Sequence, residues 1–344
     1  MAEIRLENLT KRFGPLVAVD DLDLTMPDGS FVALLGPSGC GKTTTMNMIS
    51  GLEQPTSGEI YFDDQPISRI DPGRRNVGFV FQNYAIFTHM RVYDNLAFGL
   101  RVRKPKPSSE ELDREVRHVA EIVGLTGALD RNAGRLSVND MQKVALGRSM
   151  IVNPAIFLLD EPFSNLDAAF RAYMRAELKR IQDEVGQTMV YVTHDQVEAM
   201  SMADQIAVMN LGVLQQYGTP AEIYDSPSNR FVAGFVGSTQ MNFLPPSVAD
   251  VRPPANGDAR VSVGVRPENL RIVAADSADA KLRAKVTLVE PLGAKDVVHL
   301  SLEGHEVRVI GTPGQRPRIG ENVGVVADLD RVHFFDDESG QAVR

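Results

Sequence analysis

Gly36-Pro37-Ser38-Gly39-Cys40-Gly41-Lys42-Thr43 decides the fold. It fits the pattern G-x-x-x-x-G-K-[ST], and Thr44 continues it. The apolar run Phe31–Leu35 precedes it and reads as a strand. Thr43–Ile49 follows and reads as a helix. Glycines let backbone N–H groups converge on phosphate oxygens, and the helix start adds positive potential. Lys42 is then placed to reach the β- and γ-phosphates of a nucleotide, and Thr43 to ligate Mg²⁺. Cys40 inside the loop reads first as a small space-filling residue.

Further apolar runs extend the picture. Ile4–Leu9 and Leu22–Met26 alternate as strands do, while Val77–Phe81, Ile156–Leu159, Met189–Thr193 and Ile206–Met209 are short buried-type strands. Glu110–Val123 is amphipathic at helical spacing, and Ala168–Glu184 is a helix ended by Gly186. Strands alternating with helices imply an α/β core with a largely parallel sheet. Ile156–Leu159 ends in Asp160-Glu161, acids at the carboxyl end of a buried strand, where ligands of such sheets bind. Asp160 suits a water-mediated Mg²⁺ ligand, and Glu161 a group that orients or deprotonates a water.

Near Met241 the character changes. Leu244-Pro245-Pro246 and Val251–Gly257 form a Pro/Gly-rich connector. The runs Val261–Val265, Leu282–Leu288, Val297–Leu302 and Val307–Ile310 follow, which suggests a small β-barrel or sandwich. The expected organisation is a nucleotide-binding domain over 1–240 and an all-β domain over 241–344.

Composition sets limits. The 344 residues allow two domains, and hydrophobic content is 43%. No apolar run approaches the ~20 residues of a membrane span. The start of the chain shows no secretory signal, and the single cysteine excludes an internal disulfide. A net charge of −9 argues against a nucleic-acid partner.

With these residues in hand, the chain resembles the ATPase subunits of ABC importers, nearly end to end. Gln82 looks like the glutamine that touches Mg²⁺ and senses the transmembrane subunits. Ser164–Asp167 looks like the D-loop, with Asp167 at the dimer interface. His194 looks like the switch histidine at the γ-phosphate. Phe13 matches the aromatic that stacks on adenine, with packing as its other reading. Val197–Met200, Val208–Asn210, Gly218–Pro220, Asn229–Gly237, Met241–Phe243 and Val265–Asn269 look like the carbohydrate branch, which carries a C-terminal barrel of the oligonucleotide/oligosaccharide-binding type.

The resemblance implies a subunit on the cytoplasmic face of the plasma membrane. Its partners would be two transmembrane permease subunits and a periplasmic or extracellular solute-binding protein. It further implies a helical subdomain over about residues 83–153, with Asn83–Gly99 as a groove for a permease helix. The implied task is to power import of a carbohydrate or polyol, glycerol among them. Alternatives are a homodimeric importer ATPase for polyamine, iron or sulfate, and a mainly structural nucleotide-binding subunit.

One motif departs. Leu136-Ser137-Val138-Asn139-Asp140 stands where the family has Leu-Ser-Gly-Gly-Gln, the loop presented to the partner subunit's ATP. Val138 and Asn139 add side chains where backbone approaches phosphate, and Asp140 adds negative charge. Asn139 and Asp140 also read as caps of a helix Met141–Ile151. The damage is uneven, since Lys42, Asp160, Glu161 and His194 all stand. The second ATPase subunit is therefore expected to be a different chain, with a homodimer as the other arrangement. Replacing Val138 and Asn139 together by glycine should raise steady-state ATP turnover of the assembled transporter, because backbone N–H groups could then approach the partner's phosphate. Steady-state phosphate release checks this, and an unchanged rate would sink the weak-site idea.

Overall fold

The computed structural model describes residues 2–164, 166–249, 251 and 261–343. By internal contacts the chain forms two units, Met1–Pro220 and Ala221–Arg344.

In the first unit, β1 (Ile4–Phe13), β2 (Leu16–Met26), β4 (Ser57–Phe62) and β5 (Gln65–Pro66) form an antiparallel sheet in the order β2-β1-β4-β5. A second sheet contains β3 (Phe31–Leu35), β6 (Val77–Val80), β7 (Ile156–Asp160), β8 (Thr188–Thr193), β9 (Gln205–Asn210) and β10 (Val213–Gly218). Its order is β10-β9-β3-β8-β7-β6, parallel throughout except at the β9–β10 edge. All residues of β3 and β8 are buried, as expected of parallel strands covered on both faces. Val32, Leu34, Leu158, Val190 and Val192 share one core with Leu6, Leu22 and Met46.

The register within this sheet places the site. Leu35 of β3 lies opposite Thr193 of β8, and Asp160 of β7 opposite Val192. The residues that leave these three adjacent strands therefore emerge at one edge.

Helices complete the unit: α1 (Lys42–Ser50), α2 (Val92–Val102), α3 (Ser109–Ile122), α4 (Val138–Met150), α5 (Ala168–Val185) and α6 (Gln196–Met202). α2, α3 and α4 pack on one another. A capping box of Ser108 and Glu111 starts α3, and Gly186 at φ 69° ends α5. Arg75 holds α1 from below. This 3%-exposed residue donates to the carbonyls of Met48, Ile49, Ser68 and Ile70 at 2.7–3.0 Å. The last turn of α1 thus finds its missing donors in one planar guanidinium.

The second unit begins with α7 (Pro220–Asp225), which starts at the boundary, and α8 (Arg230–Phe235). Then come β11 (Asn242–Leu244), α9 (Pro246–Ala249), β12 (Val261–Val265), β13 (Leu270–Ala274), β14 (Leu282–Pro291), β15 (Asp296–Leu302), β16 (His305–Gly311), β17 (Asn322–Ala327), β18 (Val332–Asp336) and β19 (Ala342–Val343). Two antiparallel sheets, β11-β12-β18-β19 and β13-β17-β14-β15-β16, share a core of Leu244, Val263, Val286, Leu300 and Val325. The 240/241 boundary read from the sequence lies inside this unit. Ala233 of α8 packs with Met241 and Phe335, so α8 goes with the β-domain. Apart from Val251, the Val251–Gly257 connector lies outside the described residues.

Strands β4, β10, β13, β17 and β18 have no counterpart in the sequence reading. β10, for example, carries Gln215 and Gln216 and holds only one fully buried residue, so it has no apolar run to show. Arg75→Met should lower unfolding free energy by about 2–4 kcal/mol, because buried carbonyls lose their donor. Urea unfolding measures it, and a wild-type midpoint would refute this account of α1.

Candidate nucleotide site

Residues 36–41 turn from β3 into α1. Gly41 sits at φ 103° as the N-cap, and a Cβ there would meet the Ala18 carbonyl at 2.5 Å. At Gly36 a Cβ would meet the Met209 carbonyl at 2.3 Å. Both positions need glycine for close backbone approach. No side chain caps α1 and no acid stands in its first turn, so its N–H groups face outward as anion donors. Lys42 is 5% exposed, and its Nζ donates to the carbonyls of Gly36 and Pro37, each at 2.8 Å. The cation is thus held inside the loop that would cradle Ser38, Gly39 and the phosphates.

Thr43 Oγ1 donates to Asp160 Oδ1 at 3.1 Å. Burial pushes the Asp160 carboxyl above its usual range, Thr43 partly offsets this, and Glu161 adds to it. A hard hydroxyl oxygen beside a carboxylate whose charge burial disfavours fits Mg²⁺. No cluster of three or more His, Cys, Asp or Glu suited to a metal occurs among the described residues. The remaining Mg²⁺ ligands would then be nucleotide and water oxygens, as is usual for this ion.

Glu161 follows β7 in the left-handed region at φ 43°, and its N–H donates to the Val192 carbonyl at 3.0 Å. That kink turns its side chain toward His194, whose Nδ1 lies 3.1 Å from Glu161 Oε1. Gln82, just past β6, reaches Glu161 Oε2 at 3.5 Å and Ser164 Oγ at 3.4 Å. Its side chain faces Glu161 rather than the Thr43–Asp160 pair, and as a cation ligand it would have to leave these long contacts. Phe13 ends β1 beside the Gly14 turn and is 44% exposed, with Lys11 Nζ 4.7 Å over its ring. Packing therefore explains little of this ring. Asp167 caps α5 by accepting from Phe170 N–H at 3.0 Å. Asn165 lies outside the described residues.

The Ser137–Asp140 segment corrects the sequence reading. The helix starts at Val138 rather than Met141, and its cap is Ser137, whose Oγ accepts from Asp140 N–H at 3.1 Å. Ser and Asp with this spacing form a local cap more readily than two residues already inside the first turn. Val138 is 49% exposed, and Asn139 Oδ1 is buried without a hydrogen-bond partner. Asp140 stabilises the helix start by its charge and for the same reason opposes a phosphate there.

The sequence reading gave no role at the site to three charged residues, Arg171, Asp195 and Glu198, the last lying within the Val197–Met200 run. They interact behind His194. The signal available was Glu198, an acid four residues past the histidine in a short helix with no other charged residue.

Residues 19–164 match the model of the ABC transporter family, and residues 263–335 match that of the TOBE domain. The chain is 45% identical to a trehalose/maltose import ATP-binding protein of Thermococcus litoralis, covering 100% of both chains. It is 41% identical to an sn-glycerol-3-phosphate import ATP-binding protein of Ruegeria pomeroyi, over 100% of this chain and 99% of the relative. Among solved structures, a dimeric ATP-binding cassette in a post-hydrolysis state bound to ADP and Pi superposes with a TM-score of 0.57 at 29% identity. It covers 63% of this chain and 98% of its own.

Cys40 is 2% exposed, and burial raises its thiol although Lys42 works the other way. Alkylation should therefore be slow at neutral pH, accelerate as pH rises, and abolish nucleotide binding once complete. Timed maleimide labelling with a fluorescent ATP analogue measures both, and normal binding by the fully labelled protein would refute the loop assignment.

Proposed function

The chain belongs to the ATP-hydrolysing subunits of ABC importers, and on that premise we propose its solute class, its partners and the work of its residues. The solute is a carbohydrate or polyol. In support, full-length relatives bear the names of trehalose/maltose and sn-glycerol-3-phosphate importers, which favours that class over polyamines, iron or sulfate. No helix among the described residues is long and apolar enough to cross a membrane. Two permease subunits would hold the chain at the cytoplasmic face, and an external binding protein would deliver the solute. The exposed Phe98 of α2, in ring contact with Phe87, suits a groove for a permease helix.

The observation that carries the mechanism is the meeting of Glu161, His194 and Gln82 beside the Thr43–Asp160 pair. Mg²⁺ would supply positive charge to offset that of the phosphates. Thr43 and Asp160 would hold it, the latter through water. Lys42 and the α1 N–H groups offset the charge that grows on the phosphates. Glu161 orients the attacking water and accepts its proton. His194 fixes Glu161 through the 3.1 Å contact and offers its other ring nitrogen to the γ-phosphate. Phe13 offers a ring face to the adenine.

The partner at the nucleotide interface is a different ATPase chain. That chain would supply an intact Leu-Ser-Gly-Gly-Gln loop to the ATP bound here. Val138, Asn139 and Asp140 would leave the partner's ATP in a weaker site.

Glu161→Gln should bind Mg-ATP while hydrolysis falls about a hundredfold or more. Light scattering of that purified variant should show a monomer with and without Mg-ATP. An ATP-dependent dimer would overturn the different-chain arrangement and show that the Ser137–Asp140 loop closes on phosphate.

A further inference from the structure

Behind the Glu161–His194 pair lies a set of charges that the mechanism above leaves unused. Arg171 stands in the first turn of α5. One terminal nitrogen donates to the Leu166 carbonyl at 3.1 Å, and the other to Asp195 Oδ2 at 3.1 Å. Its Nε is buried without a hydrogen-bond partner and lies 3.9 Å from Glu198 Oε1. Glu198 is 4% exposed, and its Oε2 accepts from Tyr191 Oη at 2.8 Å and Thr193 Oγ1 at 2.6 Å. Asp195 caps α6 through the N–H groups of Val197 and Glu198.

The two ends of this bridge matter. Leu166 immediately precedes Asp167, in the segment assigned to the subunit interface. Asp195 immediately follows His194. The guanidinium is a rigid planar fork, so two acceptors bound to its two ends keep a set separation, which a lysine could not enforce. His194 itself has little else to steady it. Its side chain is 56% exposed, and its Nδ1 lies 3.1 Å from Glu161 Oε1. Its position is therefore set by its backbone, and that backbone is anchored one residue away. Glu161, His194, Arg171 and Glu198 also line one cavity of about 30 Å³, so the bridge borders the reacting groups directly.

We propose that Arg171 is a positioning residue that couples Leu166–Asp167 to His194, so that displacement of those residues alters the Glu161–His194 geometry. This rests on the reading of Glu161 and His194 as the hydrolytic pair. A shift on the order of 1 Å at such a pair is enough to change a rate a hundredfold. The competing role is structural: Arg171 simply offsets the buried Glu198 carboxylate.

The two roles separate by experiment. kcat and KM for ATP would be measured on the assembled transporter, together with the melting temperature of each full-length variant. Arg171→Met should leave KM within about twofold and lower kcat about ten- to a hundredfold. The double variant Arg171→Met/Glu198→Gln removes the unpaired carboxylate and should recover melting temperature while kcat stays low. Arg171→Lys keeps the charge and serves if Arg171→Met does not fold; its kcat should also stay low at near-normal KM. Recovery of kcat together with melting temperature, or a wild-type kcat in Arg171→Met or Arg171→Lys, would overturn the coupling. Glu161→Gln is the control. If it retains wild-type turnover, the reading of the hydrolytic pair fails. If it is dead while the Arg171 variants run normally, only the coupling fails.

Discussion

The parallel register of β3, β8 and β7 is the constraint on which the rest depends. Leu35 lies opposite Thr193, and Asp160 opposite Val192. Parallel strands deliver their carboxyl ends to one edge. Three segments far apart in sequence therefore leave the sheet together: the glycine loop, the Asp160-Glu161 pair and His194. A strand of opposite direction at any of these places would send its residues to the far edge. The buried Val32, Leu34, Leu158, Val190 and Val192 lock that register, because parallel pairing is supported by cover on both faces.

Around that edge the local backbone is unusual where the chemistry needs it. Gly41 at φ 103° opens the start of α1 to an anion, and Glu161 at φ 43° turns a carboxylate back toward His194. Left-handed backbone at a non-glycine residue costs energy and persists where its surroundings hold it. Here the Val192 carbonyl accepts from the Glu161 N–H, and Ser164 Oγ donates to the Glu161 carbonyl. The strain is thus held in part by β8, the strand that His194 directly follows.

The start of α4 obeys the opposite logic. Ser137 spends its hydroxyl on a cap, and Asp140 adds a charge that suits the helix itself. A helix start that satisfies itself in this way has less to offer a phosphate. The glycine loop leaves α1 uncapped, whereas α4 is closed by its own residues. One chain therefore carries one open and one closed helix start, which is the physical content of the uneven motif set.

The sequence alone determined the local devices. Residues 36–43 needed only their own glycines, lysine and threonine to be read, because a phosphate loop is built from consecutive residues. The β3 strand was legible to its ends, since a buried parallel strand is an unbroken apolar run. Gly186 marked the end of α5 through its positive φ. The tertiary structure alone decided what depends on distant residues meeting. The edge strands β10 and β13 and the inner strands β17 and β18 gave too short or too mixed a pattern to be read, and they form because neighbours supply their hydrogen bonds. The cap of α4 shifted to Ser137, because backbone geometry rather than residue type chooses between adjacent candidates. The bridge from Leu166 through Arg171 to Asp195 and Glu198 joins segments whose spacing carries no motif. Burial of a charge is decided by what surrounds it in space, and a one-dimensional pattern holds no record of that.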